Sequence, residues 1–267
     1  MPVFDSHIHI FPDKIAEKTV EHLADVSDVT PAYNGTRQGL IKCMQNSGID
    51  GALNCPIATK PDQVESINDW AVKQNSWPLL SLGTIHPDTD DKGKVLEEVK
   101  GRGMQGIKMP PEYQSFKLDE GRVKPIWDIC SRIGLTVLLH AGADVAFSAP
   151  FHTRPRDFRK LISEVPELKV VAAHFGGWQM WGEVEEELLG EDIYLETSFT
   201  LGQISDSMFK RMLNQHNADL LMFGSDGPWR HPGKDLRHLR ELGLSDELES
   251  KLFWENAADL LQLNSPK

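Results

Sequence analysis

The chain has 267 residues, 40% of them apolar and 25% charged, and carries a net charge of −12. That apolar share is ample for a core, while an acidic chain with no run of Lys or Arg is not built to bind nucleic acid. Three widely spaced cysteines (Cys43, Cys55, Cys130) without a C-x-x-C make neither a disulfide framework nor a zinc knuckle. The N-terminal residues lack the basic region and apolar core of a secretory signal, and no apolar run could span a membrane; a cytoplasmic protein is expected.

The chain opens on VFDSHIHI (3–10), a short apolar run with strand character. Residues 11–50 form a long first crossover, expected to fold over one end of the molecule. GALNCPI (51–57) reads as the second strand, and PDQVESINDWAVKQN (61–75) has the apolar spacing of a helix. LLSLGTIHP (79–87) and MQGIKMP (104–110) follow as strands 3 and 4, then GRVKPIWDICSRIG (121–134) as a helix. LTVLLHAG (135–142), the helix PRDFRKLISEVPE (155–167), KVVAAHFGG (169–177), IYLETSF (193–199) and LLMFGSDGP (220–228) complete eight strands. The last segment, LSDELESKLFWENAADLLQL, is an amphipathic helix with Ser245 as its cap. Eight β-α repeats without a polar linker predict an α/β fold: one domain over residues 1–267, closed as a (β/α)8 TIM barrel.

The polar residues fall on one rim of that barrel. Side chains alternate along a strand, so His7 and His9 share a face with Asp5, while Phe4, Ser6 and Ile8 point away. Lys108, His140, His174 and Asp226 close strands 4, 5, 6 and 8, at the C-terminal ends where barrel enzymes assemble their sites. If His140 points inward, Val137 and Leu139 face the helices; if Asp226 points inward, so do Gly224 and Met222, and Phe223 faces out. His86 closes strand 3 and is read as structural, and His22, His216 and His238 fall in helical segments as packing or surface residues. Gly176 and Gly177 are expected to let the backbone approach a ligand closely. Trp178 and Trp229 each follow a rim residue and could wall a pocket. The loops 110–118 and 143–156 suit substrate contact; in the second, Arg154 and Arg156 could clamp an anion or stand as solvated charges. Two imidazoles converging at a strand end are half a metal site.

The D-x-H-x-H of strand 1, LLHAG, HFGG, FGSDGP and the terminal WENAADLLQL together resemble the amidohydrolase superfamily. The nearest branch is the amidohydrolase-related group that includes aminocarboxymuconate-semialdehyde decarboxylase and several aromatic-acid decarboxylases, alongside true hydrolases. The resemblance runs over the whole chain. It implies that His7, His9, His140 and Asp226 bind one divalent metal, Zn²⁺ by its donor set, and that His174 acts as acid/base or polarises the substrate. In binuclear relatives a carboxylated strand-4 lysine bridges two ions, so a two-metal site around Lys108 is the alternative; a free Lys108 would offer its charge to a substrate carboxylate or an oxyanion.

The function expected is hydrolysis of a small ester, lactone or amide-like bond by a metal-activated water, with Asp226 handling the proton. The alternative is non-oxidative decarboxylation of a small unsaturated or aromatic acid by the same residues. The expected partner is a small, carboxylate-bearing substrate touched by Lys108, Trp178 and Arg154. No nucleic acid and no membrane is expected, and a homo-oligomer is compatible with the sequence.

Overall fold

Eight parallel strands alternate with helices in the computed structural model, which describes residues 1–263. The strands are β1 (Phe4–Ile8), β2 (Gly51–Asn54), β3 (Leu79–Ser81 and, past Leu82, Gly83–Thr84), β4 (Gly106–Met109), β5 (Thr136–Leu139), β6 (Val170–Ala172), β7 (Tyr194–Glu196) and β8 (Leu221–Met222). Each sits inside a segment that the sequence marks as a strand. The ladders form a three-stranded and a six-stranded sheet, separated at Leu82. Leu82 N donates to Asn54 O at 2.9 Å and carries the pairing across that break. On the other side, Ser6 N donates to Phe223 O at 2.8 Å, Asp226 N to His7 O at 2.7 Å and His9 N to Gly227 O at 2.6 Å, so β1 meets the end of β8. The ring is a TIM barrel, as the β-α alternation predicts.

Two apolar layers hold it. Val137, Leu139 and Phe223 face outward and pack with Trp127, Phe158 and other helix residues, the parity expected when His140 and Asp226 face the barrel mouth. Inside, Leu53, Cys55, Leu82, Leu138, Val171, Ala173 and Met222 fill the barrel, plugged from below by Trp254, Ala257, Leu260 and Leu261. Asn256 fixes that plug by donating to Ala218 O and Leu221 O, both at 2.7 Å. Ser245 caps its helix by accepting from Leu248 N.

The long first crossover contains two helices, α1 (Asp13–Ser27) and α2 (Arg37–Ser47). Gly35 has a φ of +74° and lies against Val20 and Ala16, so α1 rests directly on the turn that leads into α2. Thr36 then caps α2 by accepting from Gly39 N at 3.0 Å. The next crossover carries α3 (Val64–Gln74). α1 and α3 stand on either side of the barrel mouth, lining one cavity with the rim histidines.

His216 caps the helix Asp206–Gln215 and is buried. Its Nε2 donates to Ile193 O at 2.9 Å and its Nδ1 accepts from Gly190 N at 3.2 Å, which requires the neutral ring. Burial depresses its pKa below the ordinary histidine value, outweighing the Ile193 carbonyl that favours the charged ring. A depressed folded-state pKa contributes stability above pH ~6.5 that is lost as the pH falls through the folded value. Thermal unfolding at pH 5 and pH 7.5 should show the parent losing about 2–4 °C more than His216→Gln on acidification; equal losses would remove His216 from the acid response.

Candidate active site

Each rim residue is placed by the strand end that carries it. His7 and His9 leave β1 on one face, and Asp226 lies four residues past β8, held against β1 by the backbone bond from its own N–H to His7 O. Asp226 has a φ of +62° and His174 one of +56°, both in the left-handed region that costs a non-glycine residue about 1–2 kcal/mol. Such strain is held in place by surrounding structure and concentrates at functional sites. Asp5 supplies part of that hold, its carboxylate accepting from Ser225 Oγ at 2.6 Å, Ser225 N at 2.9 Å and His7 N at 3.3 Å. Burial pushes the Asp5 carboxyl up to about 8. It shares a strand face with His7 but braces the Ser225–Asp226 turn instead of joining the donor cluster.

His7, His9 and Asp226 come together as buried donors within 4.8 Å of one another. His9 Nε2 lies 3.0 Å and His7 Nε2 3.5 Å from Asp226 Oδ1. That oxygen is buried and accepts no well-aligned hydrogen bond. An ionised carboxylate oxygen left unpaired in the interior is costly, and two imidazole nitrogens aimed at the same point make a divalent cation its natural partner. The protonation states agree. Burial, helped by the Lys108 charge, holds His7 well below the ordinary histidine range and therefore neutral. Burial alone would raise the Asp226 carboxyl, but His7, the close His9 imidazole and Lys108 outweigh it and keep it ionised. A neutral imidazole and an ionised carboxylate are the forms that bind metal.

Glu196, at the end of β7, is a participant that the sequence reading passes over. It is fully buried, and its Oε1 lies 3.0 Å from His7 Nδ1 while accepting from His174 N at 2.9 Å and Ser198 Oγ at 2.6 Å. Its partnership fixes the His7 proton on Nδ1 and makes Nε2, which faces Asp226 and Lys108, the nitrogen able to ligate, the usual arrangement of a carboxylate behind a metal-binding histidine. Gly224 is required opposite it, because a Cβ there would collide with Glu196 Oε2. The available signal was an acid inside an otherwise apolar strand, which burial makes expensive unless it is used.

His140 and His174 form a second pair. His174 Nε2 lies 2.9 Å from His140 Nδ1, its Nδ1 lies 2.8 Å from Ser198 Oγ, and His140 Nε2 donates to Ala143 O at 2.8 Å. Burial lowers both pKa values, most strongly for His174, with His140 adding to it. The expected fourth ligand, His140, is not grouped with His7, His9 and Asp226; its nitrogens face Ala143 O and His174 Nε2. Lys108 is buried, with Nζ 3.1 Å from His7 Nε2, and burial lowers its pKa.

A cavity of about 680 Å³ opens onto these residues, bounded by Tyr113, Trp178, Phe199 and Trp229. Trp178 lines it as expected, and its Nε1–H has no hydrogen-bond partner. Arg154 does not line it. Its guanidinium pairs with Glu183 on the next helix at 2.5 Å, on the surface. Gly176 and Gly177 allow close packing, since a Cβ on either would meet Leu188 and Leu195 or Pro155 and Val184.

Comparisons with known proteins show the family and the fold. The amidohydrolase family profile matches residues 60–263, and the chain belongs to that family. His7 and His9 precede the matched segment; barrel closure brings them to it. No curated protein matches the sequence. Among solved structures, a TIM-barrel protein from Bordetella bronchiseptica is 14% identical with a TM-score of 0.76, covering 98% of this chain and 99% of its own. A proposed 2-pyrone-4,6-dicarboxylic acid hydrolase from Pseudomonas putida is 19% identical with a TM-score of 0.71, covering 99% of each chain. A 5-carboxyvanillate decarboxylase from Novosphingobium aromaticivorans, complexed with manganese and 4-hydroxy-3-methoxy-5-nitrobenzoic acid, is 14% identical with a TM-score of 0.74, covering 98% of this chain and 96% of its own. At these identities the likeness is one of fold. No described helix is long and apolar enough to cross a membrane.

Proposed function

We propose that this amidohydrolase-family protein is a metal-dependent hydrolase of a small ester, lactone or amide-like substrate. The observation that carries this reading is the unpartnered Oδ1 of Asp226, buried beside the Nε2 atoms of His7 and His9. His7, His9 and Asp226 would hold one divalent ion, Zn²⁺ by its donor set, with His140 joining if it releases Ala143 or His174. Bound there, such an ion polarises a carbonyl and lowers the pKa of water toward ~7. Asp226 takes the proton of the attacking water as the new carbon–oxygen bond forms. Lys108 and the free Trp178 N–H are the donors available to the substrate's carbonyl or carboxylate oxygens. Asp226 then returns that proton to the leaving group as its bond to the carbonyl carbon breaks, while His174, linked through Ser198 to Glu196, polarises the substrate beside it. The aromatic walls exclude bulk water.

The same aromatic walls favour a second reading, decarboxylation of an aromatic acid, because the 5-carboxyvanillate decarboxylase holds such a ligand on the same fold. Turnover of a panel of lactones, esters, amides and aromatic acids in ¹⁸O-labelled water separates the two. Hydrolysis puts the label into a product carboxylate; decarboxylation releases CO₂ and places a solvent proton on carbon. In a one-metal site His174→Ala should keep its ion and lose about 10²–10⁴-fold in turnover. Loss of half the metal in that variant would instead assign a second ion held by His174, with Lys108 as its carboxylated bridge.

A further inference from the structure

The cavity extends well past its polar floor. Above the rim it runs between two helical stripes: Ile15, Thr19 and Leu23 on α1, and Gln63, Ser66, Ile67 and Trp70 at the start of and along α3. The spacings i, i+4, i+8 and i, i+3, i+4, i+7 each keep one helix face toward the opening. α1 is otherwise highly charged, with Asp13, Lys14, Glu17, Lys18, Glu21 and Asp25 on its other faces, yet this stripe carries no charge. Ile15 is left 50% exposed at the mouth. On the α3 side Gln63 Oε1 and Ser66 Oγ are turned to local use. Gln63 Oε1 accepts from Thr59 N at 2.9 Å and Thr59 Oγ1 at 3.1 Å, and Ser66 Oγ donates to Gln63 O at 3.0 Å. What both stripes offer a ligand is mainly methyl, methylene and indole surface, with no charged group. Among the described residues lining the cavity, Lys108 is the one Lys or Arg, and it lies at the floor against His7.

We infer that the substrate carries an apolar arm, an alkyl or acyl chain or a fused ring, that extends from the reacting group at the His7–His9–Asp226 floor outward between α1 and α3, and that it carries no second carboxylate. The inference rests on the reading of the rim as the reacting end. The α1 stripe runs from Ile15 to Leu23, eight residue steps or about 12 Å of helix, which sets the length of arm that can be covered. A second carboxylate on that arm would lose its water against apolar walls with no cation to receive it. A single carboxylate or carbonyl at the floor meets the Lys108 charge.

Binding of 4-n-alkylbenzoates, from methyl to octyl, read by calorimetry and by quenching of the cavity tryptophans, tests this in metal-free and metal-loaded protein. Kd should fall about three- to fourfold per added methylene over roughly the first five carbons. An ω-carboxylate at the chain end should cancel that gain. Ile15→Asp and Ile67→Asp, at partly exposed positions, should each lower the hexyl-over-methyl affinity ratio about tenfold or more, consistent with the transfer free energy of a few buried methylenes. A flat series in the parent, equal binding of ω-carboxylates, or a slope unchanged in both folded variants would overturn the inference. A steep series in a protein that turns over none of the panel would instead leave the arm site standing and remove the proposed reaction.

Discussion

Metal-loaded Asp226→Asn is expected to turn over a matched substrate about 10³–10⁴-fold more slowly than the parent while retaining its ion. The substitution keeps the volume and one oxygen donor and removes the proton acceptor. It is also conformationally mild: Asp226 sits at a φ of +62°, and asparagine is one of the few residues that tolerate the left-handed region. The Ser225 turn and the Asp5 bonds that hold it are untouched, so a loss would report chemistry and not misfolding. Turnover and metal content must be read on the same sample. Near-normal turnover by the metal-loaded variant would remove Asp226 as the proton acceptor in hydrolysis and in decarboxylation alike.

The second large effect is on metal binding itself. His7→Ala combined with His9→Ala should abolish tight binding and leave a folded barrel. Glu196 Oε1 keeps its bonds from His174 N and Ser198 Oγ when His7 is gone, so no buried carboxylate is stranded. The stability loss should remain near 1–3 kcal/mol for each site. Circular dichroism and a cooperative melt establish the fold, and elemental analysis the metal. A folded double variant that still binds its ion tightly would place the metal elsewhere.

The β-α rhythm was legible because each strand is a compact apolar run ended by Gly, Pro or a polar residue, and the parity of Val137, Leu139 and Phe223 followed from it. The convergence of His7, His9 and Asp226 was legible for the same reason: once eight strands close, their C-terminal ends must share a rim. Strand limits were less so. β6 stops at Ala172, and His174 and Phe175 sit in a left-handed turn beyond it, which no periodicity announces. Glu196 was hidden by its setting, an acid in a strand whose value appears only when His7, from the far end of the chain, is placed beside it. The orientation of His140 depends on its own side-chain torsion and on Ala143 O, and the Arg154–Glu183 pair joins two segments 29 residues apart. These are tertiary choices among several that the same sequence spacing permits. The apolar stripe of α1 was present as spacing, but its use as a cavity wall follows from where Gly35 lets that helix rest.

The central claim is that the buried His7–His9–Asp226 cluster is a metal site, and elemental analysis of protein purified without chelators tests it most directly. The account predicts about one tightly held divalent ion per chain, or uptake of one equivalent of Zn²⁺ or Mn²⁺ by calorimetry if the ion was lost in purification. Protein that carries no metal and takes up neither ion would contradict it.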